Sequence, residues 1–178
     1  MNPRIKRKIK MKPLLRFALL AFLALALAGC SSAPPVPQVG DAAPDFTLVD
    51  RQGKTWTLSQ LKGQVVFVNF WATWCPPCQQ ELPSMQRLFE QMPEDRFKML
   101  AVLSNDKVDM ADFMAEQKGL TFPILDDGEG LAGLAYLVTG LPETYLIDKK
   151  GVIRKKHLGA DEWDSPDNLG LIRTLLEE

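Results

Sequence analysis

The stretch VVFVNFWATWCPPCQQELP, residues 65–83, constrains this chain more than any other. Its first seven residues are apolar except for Asn69, as expected of a central strand covered on both faces. Cys75 and Cys78 follow, with Pro76 and Pro77 between them. Proline suits the first turn of a helix, whose N–H groups lack intrahelical partners. The pattern predicts a strand over 65–71, a helix over 76–91, and two thiols at the junction. The thiolate is the reactive form of cysteine, and a helix N-terminus stabilises it through its field and free N–H groups. Cys75, nearer the strand, is read as the exposed nucleophile. Cys78, one turn in, is read as the buried resolving thiol. The two prolines withdraw two donors from the Cys75 sulfur. Its pKa should therefore fall only moderately, and the pair should oxidise less strongly than one with both donors.

Elsewhere, strands alternate with helices. PDFTLVD (44–50) and KTWTLSQL (54–61) flank Gln52-Gly53 and predict a hairpin. FKMLAVLSN (97–105) reads as a second buried strand, 108–119 as a helix closed by Gly119, and FPIL (122–125) as a short strand. Residues 128–137 look helical despite Gly128, Gly130 and Gly133. TYLID (144–148), a Lys149-Lys150-Gly151 turn and VIRKKHL (152–158) predict another hairpin, and Asp164 or Ser165 caps a last helix over 166–177. On 108–119, Val108, Met110, Phe113 and Met114 are expected in the core. His157 is expected at the surface. This order gives an α/β fold with a mixed central sheet flanked by helices.

The compartment decides what the cysteine pair can do. Residues 1–16 carry seven Lys and Arg and no acid, and Phe17 to Ala28 are twelve apolar residues in a row. Twelve helical residues reach about 18 Å, short of a roughly 30 Å hydrocarbon core, so this is read as an export signal. Leu27-Ala28-Gly29-Cys30 resembles the bacterial lipobox, after which the cysteine carries the lipid and begins the mature chain. Cleavage near Ala28 as an ordinary signal is the alternative. By the same resemblance, Ser31 after Cys30 implies the outer membrane of a Gram-negative cell. Otherwise the anchor lies on the outer face of the cytoplasmic membrane. The expected organisation is a signal over 1–29, a proline-rich tether over 30–40, and one domain over 41–178. Without the seven basic residues of the signal, 14 of the 21 Lys and Arg remain against 22 acids, a net charge of −8. So acidic a domain is a poor nucleic-acid binder.

In an exported protein a structural disulfide is one alternative, but closing so short a loop removes little chain entropy. A zinc site needs two further ligands, and the only other cysteine and histidine are Cys30 and His157. Accidental spacing is the third alternative, and a redox pair is the reading adopted. No metal or other cofactor is implied.

At this point the chain resembles the thioredoxin superfamily, and within it the TlpA/ResA-like membrane-anchored thiol–disulfide oxidoreductases. VVFVNFWATWCPPC matches the strand and redox pair, TGLPETYLID (139–148) the segment holding the cis-proline, and GDAAPDFTLVDRQG (40–53) an N-terminal hairpin shared with peroxiredoxins. The resemblance implies a thioredoxin-like fold with that hairpin added and a central helical insert around 107–138. It places Pro142 as the cis-proline facing the cysteines and leaves the Leu141 backbone free to pair with an extended substrate. Trp74 would shape the surroundings of the Cys75 sulfur, with Trp71 in the core and Pro83 bending the active-site helix. Family members carry a glutamate where Glu81 stands, one turn beyond Cys78. Asn69 occupies the position of the buried aspartate of ordinary thioredoxins and cannot act as a base, so the resemblance makes Glu81 the candidate for that role; an exposed glutamate near a helix N-terminus is the alternative.

The resulting expectation is an exported, lipid-anchored enzyme that exchanges disulfides with protein substrates, with a membrane thiol reductant as electron donor. The family leans towards reduction, with cytochrome c maturation its best-known task. Two alternatives stand beside it. A peroxiredoxin-type thiol peroxidase would need proline at 68 and threonine at 72, where Val68 and Ala72 stand. A non-catalytic binding lipoprotein would not need Cys75, Cys78 and Pro142 all intact.

Overall fold

The computed structural model describes residues 36–178. The signal sequence, Cys30 and the first part of the tether lie outside the described residues. The elements are β1 (Thr47–Asp50), β2 (Thr55–Thr57), β3 (Val65–Trp71), α1 (Pro76–Gln91), β4 (Phe97–Ser104), α2 (Val108–Lys118), β5 (Ile124–Asp127), α3 (Leu131–Ala135), β6 (Glu143–Ile147), β7 (Ile153–Leu158) and α4 (Pro166–Glu177). They form one mixed, thioredoxin-like sheet in the order β2-β1-β5-β4-β3-β6-β7. β3 pairs with β4 in parallel and with β6 antiparallel, so it lies inside the sheet with both edges satisfied.

Successive side chains of β3 enter two different cores, because strand side chains alternate between faces. Val65, Phe67 and Trp71 join Cys78, Leu82, Met85 and Leu88 of α1 and Ile172, Leu175 and Leu176 of α4. Val66, Val68 and Phe70 join Phe46 and Trp56 of the N-terminal segment and Ala132 and Tyr136 of the insert. Asn69 is the one polar residue of β3, and its side chain bonds to Glu81 on α1. All seven residues of the strand are buried.

Several expected elements are shorter than the sequence suggested. The strand expected over 54–61 ends at Thr57, and Leu58–Leu61 turn into a 3-10 helix. The strand expected from Phe122 begins at Ile124, since Pro123 supplies no ladder N–H. The helix expected over 128–137 is only Leu131–Ala135, after Gly130 in a left-handed conformation. Gly119 closes α2 at φ 65, as expected, while Met110 and Phe113 are exposed rather than in the core. The inner face of α2 is instead made by Ala111 and Ala115. Small residues there bring the helix close to its neighbours and leave the larger side chains outside. Ser165, not Asp164, caps α4, accepting from the Asn168 N–H. Residues 36–40, read as the end of the tether, already touch the domain: the Gly40 N–H donates to the Ile153 carbonyl at 2.8 Å.

α1 carries the cysteines, and it is held mainly by its buried face. Leu82 is fully buried in the cluster that contains Cys78. Leu82→Ala should destabilise the domain by about 2–5 kcal/mol, the usual cost of such a cavity. Guanidinium unfolding followed by circular dichroism measures it.

Candidate active site

Cys75 is the N-cap of α1, and Pro76 and Pro77 occupy its first turn. The Cys75 sulfur accepts the Cys78 N–H at 3.3 Å, the first N–H beyond the prolines. One backbone donor is thus aimed at this sulfur, in a place where two more have been removed by proline. Cys75 and Cys78 are joined as a disulfide with Cα atoms 5.3 Å apart. Cys78 is completely buried. Cys75 is only 3% exposed, so the exposed nucleophile expected from sequence is almost completely covered in this oxidised form.

Cys75 lines a groove of about 820 Å³ together with Trp74, Pro76 and Pro77, Leu134 and Leu137 of the insert, and Leu141. Trp74 is 58% exposed, and its indole N–H donates to the Asn105 carbonyl at 3.2 Å. The Leu141–Pro142 peptide bond is cis. Trp71 is fully buried and Pro83 lies inside α1, both as expected.

One helical turn beyond Cys78 lies Glu81, 2% exposed. Three donors hold its carboxylate. Asn69 Nδ2 donates to Oε1 at 2.9 Å, while Trp163 Nε1 at 2.8 Å and the Asp161 N–H at 3.3 Å donate to Oε2. Burial pushes the Glu81 pKa up to about 7, and the hydrogen bonds from Trp163, Asn69 and Asp161 offset only part of that. A carboxyl group that changes charge near neutrality can take up or release a proton at working pH.

Trp163 and Asp161 are the site residues that sequence reading missed. They lie 82 and 80 residues beyond Glu81. Trp163 is buried edge-on against Phe67, and His157, read as a plain surface residue, also meets it edge-to-face with ring centroids 5.5 Å apart. The one available signal was a tryptophan set among acidic residues in 161–164, where an exposed loop has no use for one.

Residues 39–156 match the model of the AhpC/TSA family. The chain belongs to the AhpC/TSA family. It is 38% identical over 152 residues to the thiol–disulfide oxidoreductase ResA of Geobacillus thermodenitrificans, covering 84% of this chain and 87% of that one. The crystal structure of a thiol:disulfide interchange protein DsbE from Chlorobium tepidum matches with a TM-score of 0.71 at 32% identity, over 79% of this chain and 99% of that one. The exposed lipoprotein thioredoxin Etrx1 of Streptococcus pneumoniae matches with a TM-score of 0.59 at 34% identity, over 75% of this chain and 99% of that one. Within the AhpC/TSA family, this chain is a ResA-like thiol–disulfide oxidoreductase.

Burial of Glu81 ties folding to pH. Its carboxyl titrates at about 7 when folded, against 4.5 unperturbed. The folded state therefore holds this proton more tightly than the unfolded state. The contribution is fully present below about pH 4.5, is lost as pH rises towards 7, and is level above. Oxidised Glu81→Gln should lack this loss. The stability difference between it and wild type should slope across that window and be flat above, as read by denaturation from pH 4 to 8.

Proposed function

We propose that this chain is a membrane-anchored thiol–disulfide oxidoreductase whose Cys75–Cys78 pair exchanges disulfides with exported proteins, chiefly in the reducing direction. The observation that carries this reading is the placement of Glu81. It is a buried carboxyl with a pKa near 7, one helical turn from the resolving cysteine. In the reducing direction the Cys75 thiolate attacks a substrate disulfide and displaces one substrate thiolate, leaving a mixed disulfide. Glu81 then accepts the Cys78 proton, and the Cys78 thiolate attacks the Cys75 sulfur. The intramolecular disulfide forms and the second substrate thiolate departs. The substrate ends reduced by two electrons and the pair oxidised by two.

Two features favour reduction. The Cys75 sulfur accepts one backbone N–H, and prolines stand where two further donors would be. The negative charge of Glu81 also disfavours nearby thiolates. Both leave the thiolate less stabilised, which makes the disulfide form the more favourable product.

Substrate would enter by the groove at Cys75. An extended segment can pair with the Leu141 backbone before cis Pro142 while Trp74 covers its side. Anchoring rests on the basic leader and on Cys30 at the lipobox position, and the likeness to an exposed lipoprotein thioredoxin is consistent with it. A membrane thiol reductant would recharge the pair. Maturation of c-type cytochromes is the pathway this reading favours.

The test is direct. Cys75→Ser should abolish insulin reduction, and Cys78→Ser should accumulate mixed disulfides with its partners, haem-free cytochromes c among them. In the reduced wild type, iodoacetamide should label Cys75 well before Cys78. Full insulin reduction by Cys75→Ser, or equal labelling of the two thiols, would refute the assignment. Loss of palmitate labelling and of membrane association in Cys30→Ala checks the anchor.

A further inference from the structure

The Glu81 network contains an atom that its hydrogen bonds do not use. Asn69 is fully buried, and Nδ2 of its amide donates to Glu81 Oε1 and bonds Thr144 Oγ1, each at 2.9 Å. Its Oδ1 has no hydrogen-bond partner among the described residues. When Glu81 is ionised the amide keeps this orientation, because turned over its oxygen would face a carboxylate that only accepts. A buried acceptor without a donor is costly and uncommon.

Asn69 stands on the β3 face that packs against α1, the helix that carries Cys78. Phe67 and Trp71, the neighbours of Asn69 on the same face of β3, pack in the cluster that includes Cys78 and Leu82. Asn69 lies between them and reaches α1 at Glu81, one turn beyond Cys78. In the disulfide, Cys78 has no proton to give. We propose that the Asn69 side-chain oxygen is the hydrogen-bond acceptor for the Cys78 thiol in the dithiol form of the enzyme. This deepens the function proposed above and rests on Cys78 being the resolving cysteine.

The bond forms as the pair is recharged. A thiolate of an incoming dithiol reductant attacks the Cys75 sulfur. The Cys75–Cys78 bond breaks, and its electron pair leaves with the Cys78 sulfur. Protonated Glu81 gives that sulfur its proton. A second thiolate from the reductant attacks the mixed disulfide, releasing Cys75 and leaving the reductant as its own disulfide. The new Cys78 S–H donates to Asn69 Oδ1, while Nδ2 of the same amide holds the Glu81 carboxylate that gave the proton. One amide thus serves both partners of the transfer, its oxygen the thiol and its nitrogen the base. An aspartate at this position would instead put a second carboxylate beside Glu81.

Infrared spectroscopy reads this bond. Cys75→Ala leaves Cys78 as a free buried thiol, and subtraction of Cys75→Ala/Cys78→Ala isolates its S–H stretch. That band should lie lower in frequency with native Asn69 than in the Asn69→Val background. The wild-type chain needs no substitution. With side-chain carbonyls labelled in its four asparagines (Asn2, Asn69, Asn105, Asn168), reduction should lower one carbonyl stretch, and that change should persist in Asn105→Asp. Asn69→Val should also move the thiol–disulfide equilibrium with glutathione about fivefold towards the protein disulfide, the worth of one ordinary hydrogen bond. The same shift in a Glu81→Gln background separates loss of this acceptor from loss of the donor to Glu81. An S–H band insensitive to Asn69, with no carbonyl shift on reduction, would overturn the proposal. Insulin reduction by the same wild-type preparation reports separately on the function itself.

Discussion

A carboxyl group taken out of water resists ionisation unless donors replace the water it lost. Glu81 has three such donors, and they come from two separate parts of the chain. Asn69 belongs to the central strand, while Asp161 and Trp163 belong to the segment between β7 and α4. That segment is fastened to α1 independently. The Trp163 N–H donates to the Ser84 hydroxyl at 3.1 Å, and Arg87 pairs with Asp164. The strand, the helix and the covering segment thus meet at one carboxyl group, one helical turn beyond Cys78. Burial outweighs these donors and leaves Glu81 poised near pH 7 rather than fully ionised, which a proton acceptor at neutral pH requires.

The two sides of the disulfide are built on opposite principles. Around Cys75 the surroundings are open and apolar, with an exposed tryptophan and a groove walled partly by the insert. Around Cys78 they are closed: the residue sits in the apolar cluster with Leu82 and Met85, and the polar network begins one turn on at Glu81. In the proposed mechanism Cys75 meets the substrate and needs the first arrangement, and Cys78 exchanges its proton out of water and needs the second. The disulfide joins them across the first turn of a single helix.

The strand β3, the helix α1 and the cysteine pair were legible because local signals agreed: an apolar run, prolines at a helix start, and matching periodicity over sixteen residues. Pro142 and Glu81 were legible through motif resemblance. The donors of Glu81 were not, since Trp163 reaches it across 82 residues of sequence and nothing local marks an indole N–H as a carboxylate partner. Asn69 was noticed as a departure from thioredoxins, yet its unpartnered oxygen is a fact of three-dimensional packing. The misplaced side chains of α2 have a similar origin. Met110 and Phe113 are large and apolar, but alanines made the closer contact.

The central claim is that Glu81 holds a proton near neutrality and shares it with Cys78. Carbon-13 NMR of the labelled Glu81 carboxyl, titrated in the oxidised and reduced proteins, tests it most directly. The oxidised protein should titrate at about 7. In the reduced protein, Glu81 and Cys78 should titrate as a coupled pair, with the Glu81 signal moving in two steps. A single step near 4.5, the same in both redox states, would contradict the account.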